Sequence, residues 1–239
     1  MTNLQEILDA GGPWQQARII GGQLLIQGDC REVMAVLPKV DACLTDPPYG
    51  IDYGTDVAKN QLKYRWKQYA VEEWDKQRPS DEVFALILNS SKEQVIWGGN
   101  YFSDLLPPSM RWLAWDKGQR DFTLADMELA WTSQQKAVRV FTYGRGKAVR
   151  DGRQHPTQKP IALMEWCLGF LPDARTILDP FAGSGTTAVA CQRLGRQSIS
   201  IELDPDYYQI GLKRVQEVVN NPPLFTPAPP KPTQEAMDI

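Results

Sequence analysis

The sequence predicts an α/β fold built on a mostly parallel, doubly wound sheet, and three observations predict it. Short apolar runs alternate with segments of helical period along most of the chain. Four of these runs finish beside a carboxylate: Asp29 after LLIQG, Asp46 after ACLT, Asp179 after TIL and Glu202 after SISI. A glycine-punctuated turn, Gly183-Ser184-Gly185, joins one run directly to a helix-like segment. In an open parallel sheet the carboxyl ends of the strands border the ligand crevice. Carboxylates along that edge suit a ligand that offers amines and hydroxyls rather than phosphates. Taken singly, each acid is also explained as a helix cap.

The predicted strands are Gln23–Gln27, Asp41–Thr45, Gln94–Trp97, Arg111–Trp115, Met127–Thr132, Val138–Tyr143, Thr176–Asp179 and Gln197–Glu202. The predicted helices are Arg31–Leu37, Asp81–Ser91, Ile161–Leu171, Thr186–Leu194 and Pro205–Val219. Asp204 caps the last of these, and Pro205 sits at its first helical position. Asn220-Asn221-Pro222-Pro223 ends it, and the proline-rich remainder, poor in core-forming residues, predicts a disordered tail over 220–239. The first twenty residues offer only Leu4, Ile7 and Leu8 as an apolar pattern.

At 239 residues and 42% hydrophobic, residues 1–219 are read as a single domain around one core. Four scattered cysteines without CxxC spacing predict reduced thiols in a soluble, cytoplasmic protein. No apolar run reaches membrane-spanning length, so no membrane partner is expected. One histidine, His155, excludes chemistry that needs two imidazoles. The net charge of −3 does not mark a nucleic-acid binder, but the distribution of charge is uneven. Lys136, Arg139, Arg145, Lys147, Arg150, Arg153 and Lys159 face a single acid, Asp151, between Gln134 and Pro160. Lys59, Lys63, Arg65 and Lys67 are interleaved with Tyr64, Trp66 and Tyr69.

The most specific signal is Asp46-Pro47-Pro48-Tyr49, directly after a buried-looking strand. The exocyclic amine of a nucleobase is a poor nucleophile because its lone pair is delocalised into the ring. A carboxylate and a backbone carbonyl that each accept one N–H draw the nitrogen toward tetrahedral geometry and free the lone pair. Pro47 and Pro48 stiffen such a turn and leave carbonyls unpaired, and Tyr49 offers a ring on which an extruded base can stack. The second signal is Asp179-Pro180-Phe181-Ala182-Gly183-Ser184-Gly185-Thr186-Thr187-Ala188. Its glycines allow close backbone approach to a cofactor, and Glu202 stands where a carboxylate grips ribose hydroxyls. Those features alone fit a nicotinamide dinucleotide as well. Only the Asp-Pro-Pro-Tyr turn separates the two.

With His155-Pro156-Thr157-Gln158-Lys159-Pro160 added, the chain resembles the amino-methylating DNA methyltransferases from Gln23 to Val219. It resembles the permuted group, in which the catalytic motif precedes the cofactor motif. The resemblance implies a Rossmann-like class I methyltransferase fold: seven strands, mostly parallel and doubly wound, with one antiparallel strand and Met127–Thr132 in the terminal hairpin. It implies S-adenosylmethionine as cofactor, double-stranded DNA as substrate and the N6 of adenine as target. Asp46 and the Pro47 carbonyl would hold the amine, with Tyr49 stacked on the base. The turn from Asp179 through Gly183 and Gly185 to Thr186 would receive the methionine part of the cofactor, with Phe181 beside it. Glu202 would take the ribose, Asp29 the adenine amine, and Thr157 and Lys159 would approach the methionine carboxylate.

Relatives of this group often pair as dimers, so the resemblance implies a homodimer and a role in restriction-modification as expectations. Larger ones carry a sizeable recognition domain where this chain has only Ser133 to Gln154, so a short or relaxed recognition sequence is expected. That insert, with Lys136, Arg139, Arg145, Lys147, Arg150 and Arg153, and the loop carrying Lys63 and Arg65, are the expected DNA contacts. Asp rather than Ser at position 46 tilts the target toward adenine and leaves N4 of cytosine as the alternative. RNA or protein-glutamine methylation, whose enzymes have the opposite motif order, and a silent DNA-binding module of the same fold are the other readings.

Overall fold

The computed structural model describes residues 2–51, 78–118, 120, 125–144 and 158–222. Nine strands form one sheet among these residues: β1 (Gln16–Ile20), β2 (Gln23–Gln27), β3 (Val40–Thr45), β4 (Ser91–Trp97), β5 (Trp112–Asp116), β6 (Met127–Thr132), β7 (Arg139–Thr142), β8 (Thr176–Asp179) and β9 (Gln197–Glu202). Their spatial order is β1-β2-β9-β8-β3-β4-β6-β5-β7. The helices are α1 (Leu4–Ala10), α2 (Cys30–Val36), α3 (Asp81–Ser90), α4 (Ile161–Leu168), α5 (Thr186–Arg193) and α6 (Pro205–Asn220).

Period-two alternation in the central strands feeds two cores, one on each face of the sheet. Ala42, Leu44, Val95 and Trp97 point to the side covered by α4 and α5. Cys43 and Ile96, set between them in sequence, point to the side of α2 and α3. On β2, Leu24 and Ile26 join the α2–α3 core, while Leu25 meets Tyr208, Leu212 and Val215 of α6. Asp204 caps α6 through the amides of Asp206 and Tyr207, and Pro205 occupies its first turn. Such a cap contributes about 1 kcal/mol. All four cysteines are free thiols, and no described helix is long and apolar enough to cross a membrane.

The sheet is larger than the expected seven strands. The seven central ones, β2 to β5 in spatial order, are flanked by β1 and β7, and two strands rather than one run against the rest. β6 is the expected antiparallel strand, paired to both β4 and β5. β1 is the strand that the sequence did not predict. As an edge strand on β2 it buries little, so its short Ala17/Ile19 alternation carries a weak signal. β7 falls within the strand expected at Val138–Tyr143, so part of the expected recognition insert lies in the sheet, parallel to β5.

Candidate active site at the carboxyl edge of the sheet

Strands β2, β9, β8 and β3 are parallel neighbours, so Asp29, Glu202, Asp179 and Asp46 stand in that order along one edge. Asp29 caps α2 through the Arg31 amide at 2.9 Å and pairs with the Arg31 guanidinium, which lowers its pKa. Glu202 accepts from the Gly183 amide at 2.6 Å and the Asp204 amide at 2.8 Å, and burial pushes its pKa up to about 7. Asp179, only 3% exposed, accepts from the Thr45 hydroxyl at 2.8 Å and the Phe181 amide at 3.2 Å. Burial raises it to about 6.

Two left-handed glycines shape the turn between β8 and α5. At Gly185 a Cβ would come within 3.1 Å of the Gly211 Cα, so the turn lies directly against α6. Beside Gly183, a Cβ would meet no atom within 4 Å, leaving open space along the turn. The buried Arg214 of α6 fastens the turn from behind. It donates to the Ser184 carbonyl at 2.6 Å, the Ser184 hydroxyl at 2.8 Å and the Thr186 hydroxyl at 3.2 Å. Thr186 is thus tied to the scaffold through its side chain. Leu203, next to Glu202, is 66% exposed and gives this edge an apolar surface.

Asp46 heads the turn after β3. Its Oδ1 accepts from the Tyr49 hydroxyl at 2.6 Å and its Oδ2 from Lys159 Nζ at 2.6 Å. Burial raises the Asp46 pKa, with the Lys159 ammonium acting in the opposite direction. Lys159 is 5% exposed and also lies 3.0 Å from Glu128 Oε2. Lys117 pairs with the other oxygen of Glu128 at 2.6 Å. Burial works against the Lys159 ammonium, but the two carboxylates more than offset it, so its pKa stands above the usual lysine value. Burial likewise works to raise Glu128, and Lys159 and Lys117 overcome it, holding the carboxyl at about 2.

The Tyr49 ring is stacked on Tyr101, with centroids 4.8 Å apart and planes 15° from parallel, and its edge meets Phe102. Gly98 makes this placement possible. Its φ is +70°, and a Cβ there would fall 2.1 Å from Tyr49 Cε1.

Sequence reasoning found the four carboxylates and the turn, and missed Gly98, Tyr101, Glu128, Lys117, Arg214 and Leu203. A signal existed for two of them. Glu128 is an acid inside the apolar run MELAWT, and Gly98 follows a strand at the same edge as the acids.

The expected DNA contacts divide. Lys136 and Arg139 lie at the start of β7, which is parallel to β5, whereas Asp116 and Thr142 mark the other end of that pairing. Through Leu113, Ala130 and Trp97 the register places Arg139 level with the start of the Asp46 turn, but four strands away across the sheet. That lateral separation across β4, β6 and β5 keeps Lys136 and Arg139 away from the Asp46 turn itself. Thr157, Lys63, Arg65, Arg145, Lys147, Arg150 and Arg153 lie outside the described residues. Tyr143 donates its amide to the Asp116 carbonyl, and Arg78 donates to the Tyr101 carbonyl at 3.2 Å and pairs with Asp104.

The family described as DNA methylase, N6_N4_Mtase, matches residues 57–213. The chain belongs to this family. The match begins after Tyr49, so the Asp46–Tyr49 turn stands on its own geometry. Among curated proteins, YubD of Escherichia coli (strain K12), itself named only as a candidate methylase, is 28% identical over 221 residues, covering 81% of this chain and 90% of that one. The type II methyltransferase M2.DpnII of Streptococcus pneumoniae is 30% identical over 145 residues, covering 60% of this chain and 49% of that protein. Among solved structures, M1.HpyAVI in complex with SAM is 25% identical, with a TM-score of 0.51 over 80% of this chain and 98% of that one. The cytosine-N4-specific PvuII DNA methyltransferase shares the fold, with a TM-score of 0.56 over 87% of this chain and 94% of that one, at 14% identity. The fold is thus the class I methyltransferase α/β fold.

Proposed function

We propose that the chain methylates N6 of adenine in double-stranded DNA, using S-adenosylmethionine. The observation that carries this reading is Asp46: a half-buried carboxylate fixed by Lys159 and Tyr49, beside an edge suited to this cofactor. The edge fits on chemical grounds. Glu202 retains lone pairs for ribose hydroxyls after accepting two backbone amides, and Leu203 offers an apolar face for a ring. The open side of Gly183 leaves room for the methionine part near Asp179 and Phe181, and Asp29 stands beyond Glu202 for an adenine amine.

S-adenosylmethionine supplies a methyl carbon activated by its sulfonium. The protein supplies position and electrostatics. Asp46 and the Pro47 carbonyl accept the N–H groups of the target amine and localise its lone pair toward that carbon. Bound there, the cofactor would give up its methyl group to the nitrogen and keep the C–S pair on sulfur, and Asp46 would take the proton that the nitrogen sheds. In the free protein the Tyr49 hydroxyl occupies Asp46 Oδ1, so an entering base displaces that bond and takes a place against the Tyr49 ring. The catalytic turn precedes the cofactor turn, as in the permuted group, and Asp at position 46 supports adenine over cytosine.

Glu202 gives this reading a pH signature. Its folded pKa of about 7 exceeds the usual 4.5. Its contribution to the stability of the free protein is therefore full below the unfolded value and lost as the pH rises through about 7. Hydroxyl donors favour the ionised form, so cofactor affinity is expected to tighten as the pH rises through the same range. Glu202→Gln should flatten both trends and weaken binding, as read by calorimetric Kd and thermal melting across pH. An affinity that falls with rising pH, or is unchanged in the variant, contradicts the role of Glu202.

The base is tested by expressing the chain in a host that lacks DNA methylation and analysing its nucleosides by mass spectrometry. N6-methyldeoxyadenosine is the expected product. N4-methyldeoxycytidine would keep the reaction and overturn the choice of base.

A further inference from the structure

We propose that Glu128 is a positioning residue for methyl transfer, sharing the Lys159 ammonium so that Asp46 keeps its strength as an acceptor, with Lys117 setting how far that sharing goes. This rests on the reading of Asp46 given above. Four alternating charges run from the catalytic turn into the β5–β6 hairpin: Asp46, Lys159, Glu128 and Lys117, with successive contacts of 2.6, 3.0 and 2.6 Å. Lys159 and Lys117 are 5% and 10% exposed and the two carboxylates about a quarter exposed, so solvent reaches the row mainly from the acidic groups. Lys159 paired with Asp46 alone would neutralise the carboxylate and weaken its bond to the target amine. Glu128 counters that charge, and Lys117 in turn moderates Glu128. Other groups face the row without changing its alternation. These are the Tyr49 hydroxyl, 3.0 Å from Lys159 Nζ, Tyr101 against the Tyr49 ring, Asp179 on β8 and Cys167 on α4.

The arrangement predicts shifts of opposite sign. Removing the negative charge with Glu128→Gln exposes Asp46 to an uncompensated ammonium and lowers its proton affinity. Removing the positive charge with Lys117→Met leaves Glu128 wholly on Lys159 and raises it. Neither residue touches the cofactor edge. Single-turnover methyl transfer from labelled S-adenosylmethionine to unmethylated duplex DNA, followed over about pH 5–9, reads the acid limb of the rate. Glu128→Gln should move that limb down by about half a unit to one unit and slow transfer about tenfold. Lys117→Met should move it up, and both variants should bind S-adenosylmethionine as the wild type does. Limbs that stay in place in both variants, or move in the same direction, overturn the proposal. Carboxyl-carbon NMR of Asp46 gives the same two directions without turnover. A wild-type protein that transfers nothing would therefore defeat the proposed function, while the titration would still decide the role of Glu128.

Discussion

Asp46→Ala is expected to reduce methyl transfer to DNA roughly 10²–10⁴-fold, or about 3–5 kcal/mol in the barrier, with cofactor binding intact. The carboxylate is the group placed to take both the hydrogen bond and the proton of the target amine. The fold should tolerate its loss, because Lys159 keeps Glu128 at 3.0 Å and the Tyr49 hydroxyl at 3.0 Å as partners. No buried charge is left alone, which is the usual reason that breaking such a pair unfolds a protein. Asp46→Asn keeps the shape and one acceptor while removing the base, so it separates positioning from proton uptake. Rates read under single turnover, with cofactor Kd measured alongside, check both. Wild-type turnover by the alanine variant would contradict the assignment of the turn.

The second large effect is expected from a residue with no side chain. Gly98→Ala should slow transfer roughly 10²-fold, the loss associated with a misplacement of about 1 Å at a reacting centre. The added methyl would lie 2.1 Å from Tyr49 Cε1, so the ring must leave its place, and with it the hydroxyl 2.6 Å from Asp46. The left-handed backbone adds about 1 kcal/mol of strain for alanine. The change should appear in the rate and in the near-ultraviolet signal of the Tyr49–Tyr101 stack, with S-adenosylmethionine affinity unaltered. An alanine variant with normal rate and signal would mean that Tyr49 need not stand where it does.

Much of the fold was legible because the central strands are buried on both faces. LLI, ACL and TIL are continuous apolar runs and SISI alternates isoleucine with small serines, each leading to an acid, and that pattern survives without knowledge of the neighbours. β1 was illegible for the converse reason: an edge strand with one half-buried face carries little hydrophobic signal. Among site residues, the acids and glycines were legible because backbone geometry and chemistry demand those types at those points. Glu128, Lys117 and Lys159 meet Asp46 only through pairings between strands and helices distant in sequence. Spacing cannot show such contacts. Nor can spacing show that Arg139 begins an edge strand separated from Asp46 by three other strands.

The most direct test of the account is transfer of a labelled methyl group from S-adenosylmethionine to unmethylated duplex DNA by the purified protein, with Asp46→Ala in parallel. The account predicts label in the DNA for the wild type, carried on an exocyclic amine, and almost none for the variant. A wild-type protein that binds the cofactor yet leaves the DNA unlabelled, or labels it equally well without Asp46, would contradict it.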